Sequence, residues 1–267
     1  MKIGVLGCGW LGLPLTTHLK NEKNKVSGTT TQQEKLSLLE NEGIKAFQIE
    51  ITPKLIKGDI GSFLENLDAL IIDFPPRIRS RSSDLFLEEM NLLINKLNQY
   101  KKIQKIIYIS STSVFKDTEG FKTYDEAYLF SDYERKDNPL LKAENLLLEN
   151  LGKRLKVLRC GGLIGHDRHP VKYLSGRKDI ANPDAPVNMT YQKDAILICQ
   201  ELINNFDKLE NYVFHAVHPE EISRKEFYQK AAQDFSLEKL EFDHQKKQKG
   251  KRILSTHTLN QLNIEMK

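Results

Sequence analysis

Lys2-Ile3-Gly4-Val5-Leu6-Gly7-Cys8-Gly9-Trp10-Leu11-Gly12-Leu13-Pro14-Leu15 is the stretch whose reading decides the fold of this chain. Residues 2–7 are short, apolar and closed by glycine, which predicts a buried strand. From residue 10 the apolar period changes. Leu11, Leu15 and Leu19 fall on one face of a helix expected over residues 10–20. Pro14 lies in its first turn, where a missing N–H costs little. Between strand and helix stands Gly7-x-Gly9-x-x-Gly12, and in that setting the glycines have separate tasks. The first permits a tight turn, the second lets backbone approach a pyrophosphate, and the third lets helix pack on strand. The helix N terminus then presents N–H groups and partial positive charge to phosphate. The pattern predicts a dinucleotide held by Gly7, Cys8, Gly9, Trp10, Leu11 and Gly12; a plain glycine turn is the alternative.

The next strand is expected at residues 24–29, and its end carries a second signal. NAD-binding folds place Asp or Glu about 20 residues past the glycines, on the ribose 2′-hydroxyl. Here the strand ends Ser27-Gly28-Thr29-Thr30-Thr31, and no carboxylate follows until Glu34. Hydroxyls suit a 2′-phosphate that a carboxylate would repel, and Lys35 adds positive charge. Thr29 and Thr30 are therefore expected on the cofactor, and NADP is preferred to NAD. A cluster of helix-capping threonines is the competing account.

Strand and helix patterns go on alternating. Helices are expected over 32–42, 84–100, 139–151, 192–205, 223–234 and 256–263, with strands at 44–51, 67–75, 105–111, 154–162 and 212–217. That rhythm is the signature of a parallel sheet covered on both faces. The expected fold is α/β, a Rossmann-type doubly wound parallel sheet with a small C-terminal substrate cap. Residues 1–165 would form the dinucleotide domain, with its sheet completed by 188–218. Residues 166–187 and 219–267 would form the cap.

Ligands of such sheets bind beyond the carboxyl ends of the strands. Phe74 and Pro75 end the strand at 67–75 and are expected beside the cofactor, as is Ser110 in the hydroxyl-rich end Ser110-Ser111-Thr112-Ser113. Arg77, followed by Arg79 and Arg81, would hold an anionic substrate. His169 and Lys172 in the cap region could line the same polar pocket. For each of these an ordinary surface or capping role is the competing reading. His166 and His169 lack the cysteines or carboxylates of a zinc site, so no metal is expected. The run from His244 to Arg252 has no interleaved aromatics and reads as a solvated loop before a phosphate-holding one.

Composition sets outer limits. The chain has 267 residues, with 39% hydrophobic and 28% charged. Its net charge of +4, from 40 basic and 36 acidic residues, is too mild to point to nucleic acid or an anionic membrane. No run approaches the ~18 apolar residues of a membrane span. Three cysteines, an odd and sparse set, read as free thiols of a reducing compartment. The glycine-rich start has no cleavage site of a signal peptide. A soluble cytoplasmic protein is expected, monomeric or homodimeric, acting on a small molecule.

Taken together, Gly7-x-Gly9-x-x-Gly12, Ser110-Ser111-Thr112-Ser113-Val114-Phe115, Arg159-Cys160-Gly161-Gly162-Leu163-Ile164-Gly165 and Val187-Asn188-Met189 before Asp194-Ala195 resemble an extended short-chain dehydrogenase/reductase. The closer likeness is to an atypical, epimerase/dehydratase-like branch, and it covers almost the whole chain. It implies that Ser111 polarises a substrate carbonyl, and Asn188 falls in a stretch expected on the substrate side. It also implies a Tyr-x-x-x-Lys helix, whose tyrosine is the acid/base and whose lysine lowers the tyrosine pKa and holds the nicotinamide ribose. The matching segment here is Asn138-Pro139-Leu140-Leu141-Lys142. Lys142 is present; the tyrosine is not. An amide has no usable proton, and a missing general acid typically forfeits about 10²–10⁴ in rate. Tyr124, Tyr128 and Tyr133 are the substitutes within reach in sequence, Tyr133 being nearest. The glycine motif is also one residue shorter than is usual in extended members, a spacing shared with phosphogluconate-dehydrogenase-like enzymes. Two functions remain open: an NAD(P)-dependent oxidoreductase or epimerase on a polar carbonyl or sugar nucleotide, and a catalytically inactive NADP-binding redox sensor.

Overall fold

The computed structural model describes residues 1–76, 82–245 and 247–266. Seven strands form the central sheet: β1 (Lys2–Leu6), β2 (Lys25–Thr30), β3 (Lys45–Gln48), β4 (Ala69–Ile72), β5 (Lys105–Ser111), β6 (Leu155–Cys160) and β7 (Val213–Ala216). Their order is β7-β6-β5-β4-β1-β2-β3. The ladders β1–β2, β2–β3, β1–β4 and β4–β5 are all parallel. The order reverses between β1 and β4, so the carboxyl ends of these two neighbours mark the switch point where such sheets bind ligands.

The strands form where the sequence is apolar without alternation. All four residues of β4, and Ile3 through Leu6 of β1, are buried, as sheets covered on both faces require. The cover comes from α1 (Gly12–Asn21), α2 (Leu36–Asn41), α3 (Ser83–Leu97), α4 (Pro139–Leu151) and α5 (Gln192–Asn204). In α3 the buried residues Phe86, Met90, Leu93, Ile94 and Leu97 make a stripe at helical spacing, and Ser82 caps the start. The Rossmann-type fold class expected from the sequence is what the structure shows.

Two segments depart from the sequence reading in kind, beyond shifts of a few residues at element ends such as β4, expected over 67–75 and found over Ala69–Ile72. The strand expected over residues 44–51 is broken. β2 ends at Thr30, whose carbonyl takes a last bond from the Ile49 amide (3.0 Å). With no partner left, Glu50–Ile51 turns away and pairs antiparallel with Ile56–Lys57. The helix expected over 32–42 opens instead with a tighter turn, Gln33–Lys35, before α2 begins.

The chain divides into two compact units. The first comprises residues 1–110, 130–158 and 196–213, and the second 111–129, 159–195 and 214–267. The second thus takes in the segment after β5 and the ends of β6 and β7 as well as the residues expected as a cap. It has a small core of its own. There α6 (Arg224–Asp234), started by a Ser223/Glu226 capping box, sets Tyr228, Ala231 and Ala232 against Val171, Ile180 and Leu240. Its other framework is a strap: Arg252–Ile253 pairs in parallel with Thr123–Tyr124, and the Gly250 amide bonds the Thr118 carbonyl (3.1 Å). The end of the basic run is therefore built into structure. No helix among the described residues is long and apolar enough to cross a membrane, and Cys8, Cys160 and Cys199 are buried thiols, none of them in a disulfide.

Candidate functional site

The turn from β1 to α1 meets the demands of each glycine in a different way. Gly7 has φ +108°, and a Cβ there would be driven into the Asp73 carbonyl. A Cβ at Gly12 would strike the Gly7 carbonyl, so α1 can start this close to the turn only on glycine. Around Gly9, in contrast, a Cβ would find nothing within 4 Å among the described residues. The first and third glycines answer internal contacts, and the second faces open space, where a ligand's phosphates would approach.

The turn is braced from β2. The Gly7 amide donates to the Thr29 hydroxyl (2.9 Å) and the Cys8 amide to the Thr29 carbonyl (2.7 Å). Thr29 is buried, so its hydroxyl shapes the loop from behind; the Thr30 hydroxyl accepts the Gln32 amide (3.2 Å). The Cys8 sulfur fills the space beside Gly28, where a Cβ would lie 2.5 Å from it. Burial pushes the Cys8 thiol up to about 12, which makes it an inert packing group. Leu11 is buried at the entry to α1.

Beside the turn is a cavity of about 270 Å³ lined by Cys8, Gly9, Trp10, Leu13, Lys35, Leu38 and Leu39. Small-molecule sites span roughly 300–1,000 Å³, so this one suits a nucleoside-sized part of a ligand. Its walls are apolar and aromatic. Among the described residues Lys35 is the one charged group in the lining, and none of them there is acidic.

The end of β4 forms the opposite side of the turn. The Asp73 amide donates to the Leu6 carbonyl (2.9 Å), and its carboxylate accepts the Gly12 amide at the start of α1. Desolvation pushes this carboxyl up to about 7. Phe74 stacks on Phe86 of α3 at 6.1 Å, and Pro75 is exposed. On β5 the Ser110 hydroxyl donates to the buried Glu144 carboxylate of α4 (2.5 Å). Sequence reasoning missed Asp73 and Glu144. Asp73 had a signal, because it is the first polar residue after the four-residue apolar run at the switch point. Glu144 had none, since a carboxylate in an amphipathic helix ordinarily faces water.

The segment expected to carry the acid/base pair is also in the first unit. Asn138 has extended backbone (φ −107°, ψ 115°), and its side-chain oxygen accepts the Leu140 and Leu141 amides (2.9 and 3.3 Å). It is the N-cap of α4, with Pro139 at the first helical position. Lys142 follows one turn on, its amide bonded to the Asn138 carbonyl (3.0 Å). Tyr133 lies on the short helix Asp132–Asp137, 71% exposed.

In the second unit Ser111 starts a tight turn, and its oxygen accepts the Ser113 amide (3.2 Å) and hydroxyl (3.0 Å). Of the tyrosines after it, Tyr124 is buried and donates its hydroxyl to the Lys116 carbonyl (3.0 Å). The Tyr128 hydroxyl accepts the Lys122 ammonium (3.0 Å). His169 stacks on Phe227 (5.4 Å) and its Nδ1 accepts the Val171 amide (3.2 Å); burial, then the Lys172 ammonium, hold it below the ordinary imidazole pKa. Lys172 lies over the Phe235 ring at 5.2 Å. Both ends of the Asn188 side-chain amide are engaged with the strap, Nδ2 donating to the Lys251 carbonyl (2.9 Å) and Oδ1 accepting the Ile253 amide (2.8 Å). Arg77, Arg79 and Arg81 lie outside the described residues. Among the described residues no group of three His, Cys, Asp or Glu is placed to hold a metal ion.

No family model matches the chain. Protein YeeZ of Escherichia coli (strain K12) is 27% identical over 266 residues, spanning 99% of this chain and 95% of that protein. UDP-glucuronic acid 4-epimerase from Bacillus cereus, solved with NAD, has a TM-score of 0.74 at 17% identity and covers 100% of this chain and 94% of its own. A human epimerase family protein solved with NADPH has a TM-score of 0.70 at 13% identity, covering 99% and 94%. The chain thus resembles YeeZ along its whole length and has the fold of epimerase/dehydratase-type structures.

Proposed function

We propose that this chain is a nicotinamide-dinucleotide-binding member of the epimerase/dehydratase-like short-chain dehydrogenases/reductases, preferring NADP and acting on a small polar carbonyl compound or sugar nucleotide. The observation that carries the reading is the division of labour among the glycines: Gly7 and Gly12 are required by backbone contacts, whereas Gly9 faces open space at the switch point. Gly9 and the N terminus of α1 would take the pyrophosphate. Trp10, Leu13, Leu38 and Leu39 would wall the adenosine, and Lys35 would meet the 2′-phosphate, which no lining carboxylate among the described residues opposes. A bound nicotinamide would supply hydride transfer. On the protein's side Ser111 offers a hydroxyl, and Tyr128, with the Lys122 ammonium on its oxygen, is better equipped to move a proton than Tyr124 or the exposed Tyr133.

One observation favours a second reading, an NADP-binding redox sensor without turnover. The residue in the place of the family's acid/base, Asn138, is engaged in capping α4, and a carboxamide has no pKa suited to general acid/base catalysis. A titration with NADPH and NADH, followed by turnover assays on a panel of carbonyl and sugar-nucleotide compounds, tests both. Consumption of NADPH that is lost in Ser111→Ala supports the enzyme, and tight binding with no turnover supports the sensor. Failure to bind either dinucleotide overturns the proposal; tighter NADH binding overturns the NADP preference.

A further inference from the structure

The first turn of α1 contains no acidic residue of its own. A carboxylate nevertheless reaches its N terminus, from another element. Asp73 follows four buried residues of β4, its amide is tied to β1 through the Leu6 carbonyl, and its side chain accepts the Gly12 amide. A negative group at this position is favourable, because it answers a helical N–H that has no partner within the helix and meets the positive end of the dipole. The same end of α1 is where a dinucleotide's phosphates would lie. Two anions therefore have a use for one helix terminus.

We propose that Asp73 is a built-in anion that competes with the cofactor's pyrophosphate for the N terminus of α1, so that dinucleotide binding is coupled to protonation of this carboxyl. The inference rests on the dinucleotide reading above and adds a regulation of that site by pH.

The surroundings place the titration on Asp73. From the glycine turn it faces the Cys8 thiol, and from β5 the fully buried Tyr108 hydroxyl, both coupled to it electrostatically. α1 contributes the Gly12 amide and β1 the Leu6 carbonyl, while Phe74 beside it packs on Phe86 of α3. Burial pushes both the thiol and the phenol upward, so each stays neutral near pH 7. Among the described residues no ammonium or guanidinium pairs with Asp73. Its carboxyl, raised to about 7 by desolvation, is then the group that changes charge in the neutral range. Below that pH it is a neutral neighbour of the phosphates. Above it the carboxylate keeps the Gly12 amide and repels them, and binding must take up a proton. One coupled proton changes affinity by at most about 10-fold per pH unit.

The test uses the full chain and both cofactors. Trp10 is the single tryptophan of the sequence and lines the cavity, so its fluorescence reports binding. NADH and NADPH are titrated into wild type and Asp73→Asn between pH 6 and 8.5; NADH has no 2′-phosphate to titrate in this window. The wild-type affinity for NADH should fall by roughly 10-fold or more between pH 6.5 and 8.5. Asp73→Asn, which keeps an acceptor for Gly12, should bind more tightly than wild type at pH 8.5 and show no such slope. Calorimetry of the wild type in two buffers of different ionisation heat provides a readout independent of the variant: about one proton should be taken up per dinucleotide at pH 8. A pH-independent wild type, or the same slope in Asp73→Asn, overturns the coupling alone. Absence of binding for either cofactor at every pH overturns the dinucleotide reading and the coupling with it.

Discussion

Alanine at Gly9 and alanine at Gly7 should have opposite consequences, although the two positions are separated by one residue. At Gly7 the backbone has φ +108°, which side chains avoid, and the added methyl would meet the Asp73 carbonyl, just past the end of β4 and held by the bond from the Asp73 amide to the Leu6 carbonyl. Residues held in such conformations cost about 1–3 kcal/mol each, before any contribution from the clash. At about 2–4 °C per kcal/mol for a chain approaching this size, Gly7→Ala should melt roughly 5–10 °C below wild type. At Gly9 the methyl enters open space. If the backbone accepts it without strain, the unfolded chain loses freedom and stability rises by about 0.4–1 kcal/mol. The same methyl stands where the pyrophosphate should touch backbone, so NADPH affinity should drop at least about 10-fold, or 1.4 kcal/mol. Thermal melting and Trp10 fluorescence titration measure the two effects separately. A Gly9→Ala protein that binds NADPH like wild type would refute the assignment of this turn to phosphate. A Gly7→Ala protein that melts like wild type would refute the steric account of the loop.

Other outcomes follow from single contacts. Lys35→Ala should weaken NADPH by about 5–10-fold, on the scale of one partly screened ion pair, and leave NADH nearly unchanged; equal losses for both cofactors would place Lys35 away from the 2′-phosphate. Asn138→Ala removes the oxygen that accepts the Leu140 and Leu141 amides and should cost about 1 kcal/mol in urea unfolding, whereas Asn138→Asp, another good cap, should not. His215 is fully buried, donates from Nδ1 to the Leu254 carbonyl (2.9 Å), leaves Nε2 without a hydrogen-bond partner among the described residues, and is pushed down to about 3 by desolvation. The unfolded imidazole titrates near 6.5. The unfolded chain therefore binds the proton first on acidification, and this contribution to stability is complete above about pH 6.5 and lost as pH falls toward 3. The slope should approach 1.4 kcal/mol per pH unit, and chemical denaturation of His215→Gln between pH 7 and 4 should show it flattened.

What was legible in the sequence was whatever depends on near neighbours in the chain. The glycine turn, α4 starting at Pro139 and the buried β4 were all readable, because one local pattern determines each: a required φ, a missing N–H, an unbroken apolar run. The absence of the expected tyrosine was legible too, but its structural meaning was not. Asn138 looks like a lost catalytic group until the helix start is known, and then it is a cap whose side chain α4 uses. The residues missed or recast take their properties from distant partners. Asp73 matters because it reaches the start of a helix about 60 residues earlier. Glu144 is buried because Ser110 lies 34 residues before it and donates to it. Thr29 was expected on the ligand, and its hydroxyl instead holds the Gly7 amide 22 residues away. Lys251, at the end of a run that reads as solvated, reaches the Phe115 carbonyl (2.7 Å) and Asp117 (3.3 Å) across more than 130 residues. In each case residue type specifies what a group can do, donate, accept or carry charge, while the fold decides whether it meets water, backbone or another side chain. Gly9 stands in open space among the described residues, between two glycines that backbone contacts require, and it opens onto the start of α1, where N–H groups suit phosphate.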